Sequence, residues 1–326
     1  MAINIRVQTW SPADACIEYD LAYAALGYET RARHAMDVLS PTAAVRIAWG
    51  FGIQEELAFN ENRRWFASAG FDCEAVTEKD HERVFTDVLK QRLRECKRKV
   101  HALIDISSIT RTRMAQIVWS LTRCSLLETI SVDFVYTLAK FQPPPKRHTR
   151  NSAAGPVSSW FTGWWSEPER PLATVVGLGY EEDKALGIVE HLQAPDVWTL
   201  VPRSVELDYD AALDLANKRL IDLVPDAHRL RYHVEQPFQT FLALESLVDG
   251  LSQRRNTVLV PFGPKILTII SLIVALRHRE IPVWRVSGGI LQKARDAKPS
   301  GPVYGLRVTF SAKEPEVQTH HQAIRQ

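Results

Sequence analysis

The sequence predicts an α/β fold of two tandem Rossmann-like domains with mainly parallel sheets. Three observations lead there. Short apolar runs alternate with helical stretches along nearly the whole chain. A strand, a tight turn and a helix occur together at 101–121, HALIDISSITRTRMAQIVWSL, and again at 256–276, NTVLVPFGPKILTIISLIVAL. Ala25-Leu26-Gly27-Tyr28-Glu29 is matched by Gly177-Leu178-Gly179-Tyr180-Glu181, and in each half roughly 80 residues separate the first motif from the second. By this internal duplication, 1–141 is the first domain, 142–170 a Pro/Trp-rich linker loop, 171–310 the second domain and 311–326 a flexible tail.

The elements follow in order. In the first half strands are expected at 20–27, 44–49, 71–76, 101–104 and 130–136. Helices are expected at 30–39, 55–69 and 81–97 and from about Thr110, the first stopping before Pro41. The stretch 142–170 breaks the pattern with Pro143-Pro144-Pro145, the basic cluster Lys146, Arg147, His148 and Arg150, and Trp160, Phe161, Trp164 and Trp165. Those tryptophans either pack back on the core or serve a partner. In the second half strands are expected at 172–179, 197–201, 229–234, 257–260 and 281–286. Helices are expected at 184–191, 208–223, 237–252 and 266–279. The run 304–310, YGLRVTF, is expected to pair antiparallel with a neighbour, and the tail holds His320-His321.

Composition excludes several classes. The 326 residues are 45% hydrophobic and 24% charged with net charge +2, so no global basic field points to nucleic acid. Cys16, Cys73, Cys96 and Cys124 have no CxxC or Cys/His spacing, and reduced thiols in a cytoplasmic protein are expected, with no metal site. The start MAINIRVQTW does not read as a signal peptide. The most apolar run, 266–276, is too short to span a bilayer, so no membrane association is expected. No GxGxxG, GxxxxGK[ST], GxSxG or HExxH occurs, and no cofactor is expected.

Both motifs follow apolar strands and precede helices, which places them at the carboxyl edge of a parallel sheet, where ligands bind. Asp105, Ser107 and Ser108 are candidates for ligand contact, against plain helix capping. Arg111 and Arg113 sit in a first helical turn, where a cation opposes the dipole and an anion should compensate. Gly263 permits close backbone approach and Lys265 adds charge in the second copy. Tyr28 and Tyr180 can stack on a base or line the crevice, and Gly179 lets the chain pass closely. Glu29 and Glu181 can bind a hydroxyl, act as base or nucleophile, or pair with a neighbour such as Arg31. With Asp105 they are the catalytic candidates if the protein is an enzyme. Packed about a pseudo-twofold axis, the halves would join their crevices into one site, with 105–113 the active copy and 261–265 a stiffer, structural one.

On Asp105-Ile106-Ser107-Ser108-Ile109-Thr110-Arg111 and Gly263-Pro264-Lys265 the chain resembles the CARF and SAVED nucleotide-sensing domains of prokaryotic antiviral defence. These turns stand where that family carries a TGGTK-like sequence. The resemblance implies a Rossmann-like, nucleotide-binding fold and a cyclic oligonucleotide ligand, with a separately encoded effector protein or a homo-oligomer as partner. The alternatives are an enzyme acting on nucleotides or nucleosides, by phosphodiester cleavage or glycosyl transfer, and a structural subunit docking through the Trp160–Trp165 loop.

Overall fold

Strands buried on both faces need near-continuous apolar runs, and the chain supplies them where its parallel sheets form. The structure is a computed structural model. It describes residues 3–15, 18–97, 99–126, 128–144, 153–287 and 294–312. Cys16, the Lys146 to Arg150 cluster, His320, His321 and the tail beyond 312 lie outside the described residues.

The first half holds β1 (Ile3–Trp10), β2 (Glu18–Ala25), α1 (His34–Leu39), β3 (Thr42–Trp49), α2 (Phe59–Ser68), α3 (His81–Glu95), β4 (Lys99–Asp105), α4 (Arg111–Cys124) and β5 (Thr129–Ala139). After the short β6 (Ala153–Pro156) come β7 (Leu172–Gly177), α5 (Lys184–Leu192), β8 (Asp196–Arg203), α6 (Leu207–Ala216), α7 (Lys218–Leu223) and β9 (Arg229–His233). The chain continues through α8 (Pro237–Ser252), β10 (Asn256–Pro261), α9 (Lys265–Arg277), β11 (Trp284–Ser287) and β12 (Pro299–Ala312).

The protein is mixed α/β with mostly parallel sheets. A six-stranded sheet has the order β1-β12-β5-β4-β2-β3, and a four-stranded sheet the order β10-β7-β8-β9. Strands β2 to β5 are mutually parallel, as are β7 to β10. The stretch 71–76 adds to β3 through parallel bridges at Asp72 and Ala75, and Val283 adds to β10 through Leu259. Counted this way, the parallel elements of both halves run in space as fifth, fourth, first, second, third. Each order reverses between the first and fourth strands, β2/β4 and β7/β10. Crevices for ligands open at such a point.

One apolar core runs through both halves. Leu21, Ile104 and Phe134 of the first sheet and Val175 and Leu259 of the second belong to one cluster with α9. Every residue of α9 from Ile266 to Leu276 is buried, because this helix packs on α4 and α8 as well as on β10. That explains its nearly unbroken apolar sequence: a helix covered all round has no polar face to keep.

The structure departs from the sequence expectations at several places. The antiparallel strand expected at 304–310 exists, as the longer β12, but it lies between β5 and β1. It therefore belongs to the sheet of the first half rather than to the 171–310 unit. The helix expected at 208–223 breaks at Asn217 into α6 and α7, and that expected at 55–69 starts at Phe59. Strands β1 and β6 were not foreseen. In the tryptophan loop, Trp160 stacks on Trp119 of α4 at 4.4 Å and donates through Nε1 to Glu82 of α3 at 3.0 Å. Trp164 is 83% exposed.

Because β12 separates β5 from β1, its loss would strip two ladders at once. A chain ending before Pro299 is expected to be insoluble or molten. Soluble yield and near-ultraviolet circular dichroism check this; a folded truncation would refute the assigned order.

Candidate functional site

At each reversal point the two motifs of one half meet. In the first, Ser108 Oγ donates to Glu29 Oε2 at 3.2 Å, and a Cβ on Gly27 would stand 3.2 Å from that of Ser108. In the second, Gly263 has φ +75°, and a Cβ there would collide with Leu178 O. Only glycine tolerates both the left-handed backbone and the contact.

The halves then cross. Lys265, the first residue of α9, donates Nζ to Ser107 O at 2.8 Å. Arg111, the first residue of α4, donates to Pro261 O and Gly263 O, both at 3.3 Å. Each helix N-terminal cation thus reaches the turn of the opposite half. Their electrostatic neighbours cross in the same way: Lys265 feels Glu29 and Arg31, whereas Arg111 feels Glu181 and Arg285.

Above this joint lies a cavity of about 630 Å³, within the usual range for small-molecule sites. Its wall carries Arg31, Arg111, Lys184, Arg203, Lys265, Arg285 and Arg295 against Glu29, Glu78, Glu181, Asp210 and Asp296. Several of these are committed to each other. Arg31 pairs with Glu29 at 2.8 Å, Lys184 with Glu181 at 2.6 Å, and Arg203 lies 3.8 Å from Asp210. Asp296 accepts from Thr30 N at 2.6 Å and Thr30 Oγ1 at 2.7 Å. Arg111 makes no ion pair among the described residues, and the side chain of Arg285 has no hydrogen-bond or ion-pair partner there, although its backbone lies in β11 against β6. Tyr28, Tyr136, Tyr180 and Tyr209 supply aromatic faces, with Tyr180 and Tyr209 5.3 Å apart and Phe141 behind Tyr209 at 5.1 Å.

Of the residues singled out in the sequence, Tyr28, Glu29, Arg111, Gly179, Tyr180, Glu181, Gly263 and Lys265 line this cavity. Ser108 stands behind Glu29. Asp105, Ser107 and Arg113 do not line it, and each is buried. Ser107 Oγ donates to Asp105 Oδ1 at 2.5 Å and accepts from Thr137 N at 2.8 Å, so this pair braces the turn against β5. Arg113 is a correction to the expected phosphate contact. Its guanidinium donates to Gly50 O at 3.0 Å, Trp49 O at 3.4 Å and Val76 O, and stacks on Phe51 at 4.0 Å. It anchors the carboxyl end of β3, while Thr110 caps the helix by accepting from Arg113 N at 3.1 Å.

Sequence reasoning missed Tyr136, Arg203, Tyr209, Arg285 and Arg295 as wall residues, and took Arg31 only as a salt-bridge partner. Arg203, the basic residue that ends β8, was the available signal.

Charge in the site is finely set. Burial opposes the Glu29 charge, but the Arg31 and Lys265 charges and hydrogen bonds from Arg31 and Ser108 hold its carboxyl below the usual range. Burial pushes Lys265 down to about 8, with Glu29 opposing and Arg31 and Arg111 reinforcing. Burial pushes Asp105 up to about 6 against the hydrogen bonds from Ser107. Among the described residues no group of three His, Cys, Asp or Glu is gathered as for a metal, and no helix is long and apolar enough to cross a membrane. No protein-family description matches the chain, and no curated protein matches its sequence.

Two outcomes follow from these placements. Replacing Arg113 by Ala leaves Val76 O without its donor, while Trp49 O and Gly50 O keep only their backbone donors from Leu26 and Val76. With the void left by a wholly buried side chain, this should cost about 3 kcal/mol or more in urea unfolding, whereas Arg111→Ala should cost far less; equal effects would refute the assignment. Asp105 carries the second. Between pH 3.8 and about 6 the native chain keeps a proton that the unfolded chain has released. That stabilisation is complete below the window and is lost as pH rises through it. Relative to Asp105→Asn, the wild-type unfolding midpoint should fall across this range and run parallel above it.

Proposed function

We propose that this protein binds an anionic nucleotide in the cavity between its halves. The observation that carries the reading is the convergence of two cations, Arg111 and Lys265, at two helix N-termini inside one tyrosine-lined cavity. A helix N-terminus already favours negative charge, and a cation there is disfavoured unless an anion compensates. Lys265 is partly balanced by Glu29, but the donors around Arg111 meet only carbonyl oxygens at 3.3 Å. A phosphate would satisfy these groups together, and the tyrosines offer faces for a base.

The reading includes the internal duplication. It is supported by the shared spatial order of five parallel elements and by the crossed cations. With the resemblance to CARF and SAVED domains, it makes the protein a cytoplasmic sensor in a prokaryotic defence system. Its ligand would then be a cyclic oligonucleotide, its output passing to a separately encoded effector or a further copy. Catalysis is the weaker reading. Glu29 is held ionised by Arg31 and Lys265, which makes it a poor base, and Glu181 is paired with Lys184.

A thermal-shift panel of linear and cyclic nucleotides is the test. A true ligand at a hundred times its dissociation constant adds about 2.7 kcal/mol of stability. Arg111→Ala and Lys265→Ala should each weaken that same ligand about tenfold, the loss of one charged hydrogen bond. No shift with any nucleotide would sink the proposal, and an effect from one half only would sink the composite site. Turnover lost in Glu181→Gln with binding retained would favour the enzyme.

A further inference from the structure

Two asparagines outside the cavity occupy matching places. Asn62 of α2 is buried and donates Nδ2 to Gly27 O at 2.9 Å and to Glu29 O at 2.8 Å. Asn217, at the break between α6 and α7, is buried and donates Nδ2 to Gly179 O at 2.6 Å and to Leu213 O at 2.8 Å. Gly27 and Gly179 are the equivalent glycines of the two Gly-Tyr-Glu motifs. Each asparagine follows its glycine at a similar distance along the chain, 35 residues in one half and 38 in the other. Each lies in the helical segment after the second parallel strand of its half, β3 or β8, and each is followed by two basic residues, Arg63-Arg64 and Lys218-Arg219.

The chemistry of the side chain explains the choice. The turn after the first parallel strand leaves the sheet, so Gly27 O and Gly179 O lose their ladder partners and need donors, whereas Glu29 O and Leu213 O also accept from Ala32 N and Asn217 N. An amide Nδ2 carries two hydrogens and can serve two carbonyls at once. Asn62 does so at Gly27 and Glu29, on either side of Tyr28, and therefore sets the direction in which Tyr28 and Glu29 leave the backbone. Asn217 ties Gly179, just before Tyr180 and Glu181, to its own helix. A buried unpaired carbonyl is costly, so neither turn can swing freely while its asparagine is in place.

We infer that Asn62 and Asn217 are paired positioning residues, one for each wall of the cavity, that hold the two Gly-Tyr-Glu turns in ligand-binding geometry. The inference rests on the binding role proposed above for the cavity, but its local claim is separable from it. Asn62→Asp and Asn217→Asp keep side-chain shape and replace the donor by a carboxylate facing carbonyl oxygens. Hydrogen–deuterium exchange should quicken at 27–31 in the first variant and at 179–183 in the second, each confined to its own half. Asn60→Asp, at an exposed position of the same helix as Asn62, should leave both regions unchanged. With whichever nucleotide stabilises the wild type, each variant should bind about tenfold more weakly. Acidification should narrow that deficit, because a protonated carboxyl regains a donor.

Unchanged exchange in both turns overturns the inference even when no nucleotide binds. Exchange that quickens as expected, in a wild type that binds none of the panel, refutes the nucleotide reading and leaves the turn clamps standing. Binding within twofold of wild type in both variants refutes the positioning role and leaves the cavity's ligand in place. Should an aspartate variant not fold, Asn62→Ser and Asn217→Ser, which remove the donor without adding charge, carry the same exchange readout.

Discussion

Two backbone carbonyls, those of Ser107 and Gly263, hold the halves of this protein in register. Each accepts from a cation that begins the opposite half's central helix, Lys265 at 2.8 Å and Arg111 at 3.3 Å. Packing brings the helices together: α9 is buried on every side against α4, α8 and β10. Apolar contact is nondirectional and tolerates sliding. Hydrogen bonds to two particular turn carbonyls do not, so the crossed pair converts a greasy helix contact into a defined cleft. Its location follows from topology, since both turns stand where the strand order reverses.

The same arrangement concentrates positive potential. Two helix N-termini and their first-turn cations face one cavity, and Arg285 adds charge without an ion pair among the described residues. Burial drives Lys265 down to about 8, with Arg31 and Arg111 reinforcing the shift and Glu29 and Asp105 opposing it. An anion is the natural complement of such a wall. Folding tolerates the cost because the apolar core is continuous across both sheets, and local electrostatic strain is typical of binding sites.

Much of this was legible in the sequence because the signals were local. Apolar runs of four to six residues marked β4, β7 and β10, and the turn motifs marked the carboxyl edges where the cavity opens. What stayed hidden depends on contacts distant in sequence. Strand β12 reads as an ordinary antiparallel strand, but nothing in its own residues states that it inserts between β5 and β1. Arg113 and Arg111 are alike in type and two positions apart, yet successive helical positions point in different directions. One faces the cleft, and the other faces the carbonyls at the end of β3. Arg203, Arg285 and Arg295 come from three separate segments and meet only in the fold.

The two turns also exchange the roles their compositions suggest. Asp105 and Ser107 give the first turn a reactive character, whereas Pro261 and Pro264 give its counterpart the character of a plain stiffener. In the fold, Ser107 N and Oγ both donate to Asp105 Oδ1 and Ser107 Oγ accepts from Thr137 N, while Asp105 Oδ2 is buried without a hydrogen-bond partner among the described residues, and neither side chain lines the cavity. Polarity in the first turn serves to fix a carbonyl, that of Ser107, as the acceptor for Lys265. Stiffness in the other turn serves the complementary purpose. Gly263 at φ +75° lets the chain press against Leu178, and Pro264 as N-cap starts α9 with Lys265 at its first position. The polar turn is the socket and the stiff turn delivers the charge. The asymmetry is therefore a division of labour between the two turns, and the cavity wall is built from both halves.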